Sequence, residues 1–376
     1  MEGNDSVPQY RRSRRQARKK KRIRCLIAVF IALGILLLMV SGTFVLLKKP
    51  GPARELAKEI FNEYFGRLRL MAGWTTHAKQ AYGLMSEKRS ELGDDAIAWF
   101  IETDQHGRKV PTAQWVYDKD RSVKVISLGD VATDYFNEKE LMSFSKRMSA
   151  VENKICVFGN HDVWTKSSEN ANYANLESWF QADGKRTNSQ KGFFTVIDEA
   201  YRVKYLVVSP YDIQPEAGGY GVELTIGTEQ MTWLLDELSA DDGYDLIVLS
   251  HQPFADRHYG RNGDMQSNAD APQILKNLWE VLKDRRNRRS GEIVDGDGMR
   301  HAYDFSAAET DILCSLHGHA HSELMCTDEG MTAYVADWLS DNYNCAFGLI
   351  DRKNARMYIW KFNQNQVYDQ LTLEIE

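Results

Sequence analysis

The stretch VFGNHDVW, residues 157–164, joins an apolar run directly to a dense group of polar side chains. The run KICVF, residues 154–158, has the composition of a buried strand, and Asn160, His161 and Asp162 follow it after a single glycine. An amide, an imidazole and a carboxylate at the end of a buried strand cost free energy unless they are hydrogen-bonded or bind a ligand. The stretch therefore predicts a core strand that ends in a binding site.

Four other apolar runs end in the same way, in Asp or His. They are AIAWFIETDQH (96–106), VKVISLGD (123–130), DLIVLSH (245–251) and ILCSLHGHAH (312–321). Nearly continuous apolar strands are typical of sheets that helices cover, and helical patterns lie between the runs at residues 138–152 and 227–240. We therefore expect a largely parallel α/β core, with a site where the carboxyl ends of its strands meet.

The C-terminal third has a different pattern. TAYVADW, CAFGLIDR, RMYIWKF and YDQLTLEIE are short runs separated by Asn, Asp and Lys residues, which is typical of antiparallel strands joined by turns. Before the core, the spacing of apolar residues predicts one helix around residues 56–68 and a second helix over residues 76–92. We predict that the folded domain covers residues 96–376 and that residues 48–95 form a helical stalk or docked helices.

Residues 25–47, CLIAVFIALGILLLMVSGTFVLL, are 23 residues without a charge. At about 1.5 Å per residue, a helix of this length crosses the hydrocarbon core of a bilayer. The run is longer than the apolar part of a signal peptide and no clear cleavage site follows it, so we predict an uncleaved transmembrane helix. Ten basic residues lie in residues 11–24 and only three soon after the span. This bias predicts a cytoplasmic tail at residues 1–24, an extracytoplasmic domain, and a single-pass protein of the cell membrane.

The charge of the chain is divided unevenly. Residues 1–24 carry a net charge of +8, so the remainder carries −14 of the total of −6. An acidic domain offers no general field for a phosphate backbone, and the basic run lies directly against the predicted span, so we expect no nucleic-acid partner. The lipid bilayer is the partner expected for residues 25–47. The four cysteines beyond the span have no CxxC spacing, which argues against a disulfide scaffold and leaves one bridge open.

The polar side chains at the strand ends have the donor types of a metal site. Seven of them offer a carboxylate, an amide or an imidazole: Asp104, His106, Asp130, Asn160, His251, His319 and His321. This mixture without a thiolate suits divalent Mn, Fe or Zn better than a structural zinc cluster. Seven donors exceed the needs of one ion and suffice for two ions that share Asp130. We interpret His317 as a structural residue or as a residue that supports a ligand, because alternate residues of an extended segment cannot all face one ion.

The order of these residues resembles one known family. D-x-H at 104–106, G-D at 129–130, G-N-H-D at 159–162, the lone His251 and G-H-x-H at 318–321 occur in the order of the calcineurin-like metallophosphoesterase family. The resemblance spans Asp104 to His321. It implies an α/β fold, a four-layer α/β/β/α sandwich in which helices flank two sheets, here preceded by a single N-terminal transmembrane helix. It also implies that the motifs lie on loops at one edge of the sheets.

The resemblance implies a role for each residue of the site. Asp104, His106 and His321 would hold one ion, Asn160, His251 and His319 would hold the other, and Asp130 would lie between the two. His161 would contact or protonate the leaving-group oxygen, and Asp162 would orient His161. Two divalent ions about 3.5 to 4 Å apart can hold a hydroxide at neutral pH and neutralise the charge that develops on phosphorus. The implied reaction is hydrolysis of a phosphate ester or anhydride by a metal-bridging hydroxide.

The sequence differs from two known subfamilies of this family, and these differences reduce the number of reactions to consider. GDVATDYF, residues 129–136, lacks the arginine that follows Gly-Asp in protein Ser/Thr phosphatases, and Thr133 stands where purple acid phosphatases place a tyrosine ligand. Mono-, di- and pyrophosphate esters remain, so the expected substrate is a phosphorylated small molecule, a lipid or a cell-envelope phosphate. The alternative is a catalytically inactive surface binding or scaffold protein on the same fold. Such proteins usually lack some ligands, whereas all seven are present here.

Overall fold

The structure of the protein is a computed structural model, and it describes residues 52–108, 112–133, 137–163, 192–211, 224–267 and 271–375. The chain divides into two compact units, Met1–Ala72 and Gly73–Glu376. Within the described residues, no helix is both long and apolar enough to cross a membrane. The predicted cytoplasmic tail at 1–24 and the predicted transmembrane helix at 25–47 lie outside the described residues.

The described helices and strands alternate along the first half of the domain, and strands dominate the second half. The helices are α1 (Pro52–Leu92), α2 (Thr112–Lys119), α3 (Glu138–Met148), α4 (Asn160–Val163), α5 (Thr228–Ser239), α6 (Gln273–Arg286) and α7 (Leu339–Asn342). The strands are β1 (Ile97–Glu102), β2 (Lys124–Ser127), β3 (Lys154–Cys156), β4 (Phe194–Asp198), β5 (Val203–Val207), β6 (Asp245–Leu249), β7 (Arg257–Tyr259), β8 (Met265–Ser267), β9 (Ser290–Val294), β10 (Arg300–Asp304), β11 (Ile312–His317), β12 (Leu324–Asp328), β13 (Met331–Val335), β14 (Cys345–Asp351), β15 (Arg356–Phe362) and β16 (Leu371–Glu374).

Two large sheets contain most of these strands. The first sheet has the order β16-β15-β14-β1-β2-β3, the second has the order β4-β5-β6-β11-β13-β12-β7-β8, and β9 pairs with β10 alone. Strands β1, β2 and β3 are parallel in the first sheet, and β5, β6, β11 and β13 are parallel in the second. Strands β14, β15 and β16 extend the first sheet in antiparallel fashion from β1. The predicted parallel core is confirmed, and the predicted antiparallel pairing is confirmed for β14, β15 and β16. The run TAYVADW differs, because its strand β13 pairs in parallel with β11 and in antiparallel fashion with β12.

Alternation along β1 shows how the layers are stacked. Ile97, Trp99 and Ile101 belong to an apolar core between the two sheets, whereas Ala98 and Phe100 belong to a core between the first sheet and helices α1, α2 and α3. Successive side chains of a strand point to opposite faces, so β1 separates these two cores. A third core lies between the second sheet and helices α5 and α6. The order of layers is therefore helices, sheet, sheet, helices, in agreement with an α/β sandwich.

Helix α1 differs from the expectation of two separate helices. It continues from Pro52 to Leu92 through Gly66, Gly73 and Gly83, because each glycine inside a helix costs only about 1 kcal/mol relative to alanine. Gly73 lies where a Cβ atom would come 2.6 Å from the backbone oxygen of Gln364, so its missing side chain allows close packing. Trp74 is buried and its indole nitrogen donates to the backbone oxygen of Tyr343 at 3.1 Å. The second compact unit begins at Gly73, within this helix.

The sequence did not show how the strands divide between the sheets. Strands β1, β2 and β3, which precede three of the motifs, lie in the first sheet, whereas β6 and β11 lie in the second. Strands β7 and β8 have three residues each, and such short segments give a weak periodic signal. The four cysteines of the described residues are buried and form no disulfide with one another, so the bridge that the sequence left open does not form there.

Candidate metal centre

The loops that follow β1, β2, β3, β6 and β11 bring polar side chains from both sheets together. Asp104, His106, Asp130 and His321 form one group, and Asp130, His251 and His319 form a second group. Within each group the donor atoms lie within 4.8 Å of one another. Because Asp130 belongs to both groups, the arrangement has the form of two adjacent cation sites with one shared carboxylate.

The first group has its donor atoms in contact. His321 Nε2 lies 3.1 Å from Asp104 Oδ1 and 3.2 Å from His106 Nε2. His106 Nδ1 lies 3.2 Å from the backbone oxygens of Ala132 and of Thr133, so Nδ1 carries the proton that it donates to them. The lone pair of His106 Nε2 is then directed at the group, as in metal-binding histidines whose second nitrogen is hydrogen-bonded.

The second group includes the amide of Asn160 as well. His251 Nε2 lies 3.2 Å from Asp130 Oδ2 and 3.2 Å from Asn160 Oδ1, and His319 Nδ1 lies 3.0 Å from Asn160 Oδ1. His251 Nδ1 is held by the backbone oxygen of Leu128 at 2.7 Å. An octahedral ion with ligands at about 2.1 Å has neighbouring donors about 3.0 Å apart. The observed separations fit this spacing.

Two buried carboxylate oxygens in the centre lack hydrogen bonds. Asp104 Oδ1 and Asp130 Oδ2 accept none within the described part of the chain, although both side chains are almost completely buried. A buried acceptor without a partner costs about 1–3 kcal/mol, and more if it is charged. A divalent cation bound between these side chains would remove this cost. The carboxylate, amide and imidazole donors therefore fit divalent metal ions.

The backbone of the centre adopts an unusual conformation. Five of its residues have positive φ angles between 43° and 68°: Asp104, His106, Asp130, His319 and His321. For L-residues this left-handed region costs roughly 1–2 kcal/mol per residue, although Asp and His tolerate it better than most. Such costs are found mainly at functional sites, where the surrounding structure holds the chain in place. The fold thus holds these five side chains in position at the expense of stability.

Two motif glycines allow the loops to approach each other. A Cβ atom on Gly159 would overlap the backbone nitrogen and the carboxylate of Asp130, and one on Gly318 would overlap the Thr103 hydroxyl. The glycines of G-N-H-D and G-H-x-H are therefore required by packing. They place the loops after β3 and β11 against the loops after β2 and β1.

The charges of the centre shift the pKa values of its side chains. Burial alone would lower the pKa of His251, but the carboxylates of Asp130 and Asp104 outweigh it and raise the value to about 9. Burial and the charge of His251 lower the pKa of His319 to about 4. At neutral pH His319 is therefore ready to bind a cation, whereas His251 must release a proton first. We expect cation affinity at the second group to fall as the pH falls below 9.

His161 lies at the open side of the centre. Its side chain is 24% exposed, its Nε2 atom is 3.9 Å from Asp130 Oδ2, and its ring centroid is 4.7 Å from that of His106. Its backbone N–H donates to Asp130 Oδ1 at 2.8 Å. The imidazole belongs to neither donor group. It therefore lies beside the two donor groups and is partly open to solvent.

Asp162 has a different position from the one that the sequence analysis expected. Its carboxylate accepts four backbone N–H groups, from Asp130, Val131, Ala132 and Gly159, at 2.9 to 3.0 Å. The side chain is completely buried and holds the loop of Asp130 rather than the ring of His161. The orienting role suggested for Asp162 is therefore corrected: the carboxylate positions the shared ligand. Burial and the charge of Asp130 raise the pKa of Asp162 to about 7, and a bound cation would lower it.

Three side chains that the sequence did not single out also contact the donors. The indole of Trp338 stacks on the ring of His321, with centroids 4.2 Å apart and planes 12° apart. The amide nitrogen of Gln252 lies 3.1 Å from His319 Nε2, and the Thr103 hydroxyl donates to Asp104 Oδ2 at 2.6 Å. Gln252 and Thr103 each adjoin a motif residue, which was the only sequence signal for them; Trp338 had none.

His317, the remaining histidine of the late tract, is not one of the grouped donors. It is the last residue of β11, is completely buried, and its Nε2 atom lies 2.9 Å from the Ser315 hydroxyl. Burial lowers its pKa to about 3, so it remains neutral. Its ring packs edge-on against Phe254 with centroids 4.8 Å apart. These contacts agree with the structural role expected for it.

The fold is similar to that of known phosphatases. No protein-family model matches the chain. A dimetal phosphatase from Danio rerio is similar in structure, with a TM-score of 0.50 and 13% identity over 74% of this chain and 99% of that one. A predicted phosphoesterase from Streptococcus pneumoniae TIGR4 has a TM-score of 0.33 and 10% identity, over 74% of this chain and 98% of that one.

Among curated proteins, a proline–tRNA ligase from Acidiphilium cryptum (strain JF-5) is 26% identical over 198 residues, which are 51% of this chain. The chain spans 42% of the length of that protein. The structural similarity to the dimetal phosphatase supports the assignment of the fold. The chain has a metallophosphoesterase fold, and the resemblance to the calcineurin-like metallophosphoesterases is confirmed at the level of the fold.

Proposed function

We propose that the protein is a phosphoesterase that depends on two metal ions and hydrolyses phosphate ester or anhydride bonds. The observation that carries this proposal is the pair of donor groups that share Asp130, at the edge of a fold similar to that of a dimetal phosphatase. Mn, Fe and Zn are the ions that the mixed carboxylate, amide and imidazole donors favour. When bound, the ions would lower the pKa of water and offset the negative charge that develops on the phosphoryl group.

The residues of the chain divide this work. Asp104, His106 and His321 would hold one ion, Asn160, His251 and His319 would hold the other, and Asp130 would contribute to both sites. His161 donates a hydrogen bond or a proton to the leaving-group oxygen, which its place at the open side of the centre supports. Asp162 positions Asp130 through the backbone of residues 130–132.

The substrate class proposed is a phosphorylated small molecule, a lipid headgroup or a cell-envelope phosphate. Monoester, diester and pyrophosphate substrates all fit a centre whose open side is lined by His161 and by His321, with 24% and 38% of their side chains exposed. A catalytically inactive binding or scaffold protein is the alternative. The presence of all seven donors with correct separations favours an enzyme.

We further propose that residues 25–47 anchor the protein in the cell membrane, with residues 1–24 in the cytoplasm and the phosphoesterase domain outside. The uncharged run of 23 residues and the basic residues before it support this topology. Nucleic acid is not among the proposed partners, because the part of the chain after residue 24 has a net charge of −14.

Metal dependence tests the proposed activity. The full-length chain in detergent is assayed against a panel of monoester, diester and pyrophosphate substrates, before and after exhaustive chelation and after return of Mn, Fe or Zn. We expect activity on at least one substrate to vanish on chelation and to return with one of these ions. Hydrolysis unchanged by chelation would contradict the role of the metal centre. Binding of two ions without hydrolysis of any substrate would favour the scaffold alternative.

Protease accessibility tests the proposed topology. Protease added to intact cells should digest or release the domain beyond Leu47 and should spare the tail at residues 1–24. Protection of the whole domain would reverse the orientation, and the substrates would then be cytoplasmic phosphates.

A further inference from the structure

The two ring nitrogens of His319 have different partners, and these partners determine which nitrogen carries the proton. A neutral imidazole carries one proton, so only one of its two nitrogens can bind a cation. In His319, Nδ1 faces the donor group, at 3.0 Å from Asn160 Oδ1. Nε2 faces the opposite way, toward the side-chain amide of Gln252 at 3.1 Å. A cation on Nδ1 therefore requires the proton to be on Nε2.

The contact with Gln252 decides which nitrogen keeps the proton. In the structure the amide presents its NH₂ group to Nε2, and the proton must then be on Nδ1, which donates to Asn160 Oδ1. If the amide is rotated by 180°, its oxygen accepts the proton of Nε2, and Nδ1 is left with its lone pair. The two orientations of a glutamine amide have nearly the same shape and differ only in hydrogen bonding. The orientation of one amide thus selects between a hydrogen-bonded and a cation-binding tautomer.

The surroundings make Gln252 the residue with this role. It follows His251 directly, and its side chain is buried, with 7% of the residue exposed. Its amide nitrogen lies within hydrogen-bond distance of His319 Nε2, at 3.1 Å. In His106 and His251, the ring nitrogen that faces away from the donor group contacts a backbone oxygen instead. A side-chain amide can rotate, whereas a backbone oxygen held in a loop cannot.

We propose that Gln252 is a positioning residue for the second cation site, and that its amide oxygen holds the proton of His319 Nε2 so that Nδ1 binds the ion. This inference rests on the proposed two-ion centre. Hydrogen-bonded partners of metal-binding histidines typically contribute about 10- to 100-fold in metal affinity. Among the described hydrogen bonds, the Gln252 side chain meets a donor of the second group, His319, so its effect is expected at the second site.

Metal titration tests the role. Zinc binding to the full-length chain in detergent is measured by competition with a chromophoric chelator, for the wild type, Gln252→Leu and Gln252→Glu. We expect Gln252→Leu to bind the first ion normally and the second about 10- to 100-fold more weakly. Gln252→Glu, which offers only acceptor oxygens, should bind the second ion at least as tightly as the wild type. Equal affinities in all three proteins, or equal losses in both variants, would overturn the proposal.

A control variant distinguishes the loss of any buried amide from the loss of the contact between Gln252 and His319. Gln230 is buried like Gln252, and within the described residues its side-chain amide bonds to the backbone of Ser209, at 2.8 Å in both directions. Gln230→Leu should keep the wild-type affinity for both ions, and weaker binding of the second ion in this variant would count against a specific role of Gln252. If Gln252→Leu does not fold, the tautomer is read directly on the zinc-loaded wild type by ¹H–¹⁵N correlation of the histidine rings. A proton on His319 Nε2 supports the proposal and a proton on Nδ1 overturns it.

The same titration distinguishes this proposal from the function on which it rests. A wild type that binds fewer than two zinc ions contradicts the two-ion centre and, with it, the role of Gln252. A wild type that binds two ions with an unaltered Gln252→Leu variant leaves the centre intact and overturns only the role of Gln252.

Discussion

Asn160 and His161 are adjacent residues with separable roles. We expect His161→Ala to keep both ions, because its imidazole belongs to neither donor group and lies 3.9 Å from Asp130 Oδ2. Loss of its proton should slow hydrolysis of an alkyl phosphate on the order of 10² to 10⁴-fold. The loss should be much smaller for a nitrophenyl phosphate, whose leaving group departs without a proton. The measurement is kcat on both substrates together with metal content.

Asn160→Ala is the comparison for this experiment. Its amide oxygen lies 3.2 Å from His251 Nε2 and 3.0 Å from His319 Nδ1, so its removal should lower the occupancy of one ion. Equal rate losses for His161→Ala on both substrates, with full metal content, would show that the imidazole binds phosphoryl oxygens. A loss of metal would make it a ligand.

Asp162 should be required for stability as well as for metal binding. Asp162→Ala removes the acceptor of four buried N–H groups, and unsatisfied buried donors cost about 1–3 kcal/mol each. Because the backbone relaxes in part, we expect a loss on the order of 3 kcal/mol in the free energy of unfolding and a loss of both ions. Thermal unfolding and metal analysis measure the two effects.

Asp351→Ala is the matched control, because this carboxylate is buried and its bonds go to Asn354. It should lose some stability and keep its metal. An Asp162→Ala variant that retains both ions would show that the loop of Asp130 keeps its shape without this carboxylate.

At the scale of the elements, the approach of the loops depends on residues without side chains. Gly159→Ala places a methyl group on the carboxylate of Asp130, so we expect it to displace the loop after β2 and to lower metal occupancy. Gly83→Ala lies within α1 with nothing near the added methyl group, so it should leave the metal centre unchanged and stabilise the helix by about 0.4–1 kcal/mol. Metal content and melting temperature are measured for both. Normal metal content in Gly159→Ala would show that the loops tolerate a wider separation.

At the scale of the whole molecule, the metal centre joins the loops of two sheets. Cations that bind only the folded state should raise its stability by about 2.7 kcal/mol when the free ion exceeds Kd by 100-fold. We therefore expect the melting temperature to rise by about 5–10 °C with Mn or Zn and to return to its former value with chelator. Asp130→Asn weakens both sites, so it should show a smaller rise than Asp104→Asn. An equal rise in the two variants would contradict a shared ligand at residue 130.

Much of the candidate site could be predicted from the sequence, since the motif side chains directly follow apolar runs. VKVIS ends at Asp130 and KICVF ends at Asn160, and the polar donors after such runs have few structural uses other than binding. The parallel core and the antiparallel C-terminal strands also follow from local patterns of apolar residues. The transmembrane segment and its orientation stay predictions, because residues 1–51 lie outside the described structure.

Contacts between residues far apart in the chain were decided only by the tertiary structure. The motif strands divide between two sheets, α1 is one helix that packs through Trp74, and Asp162 binds the backbone around Asp130 rather than His161. Gln252 and Trp338 meet His319 and His321 only after the chain has folded. The physical reason is the distance along the chain over which each feature is determined. Side-chain alternation and strand ends depend on neighbouring residues. A hydrogen-bond partner or a stacked ring depends on which loops the fold brings together.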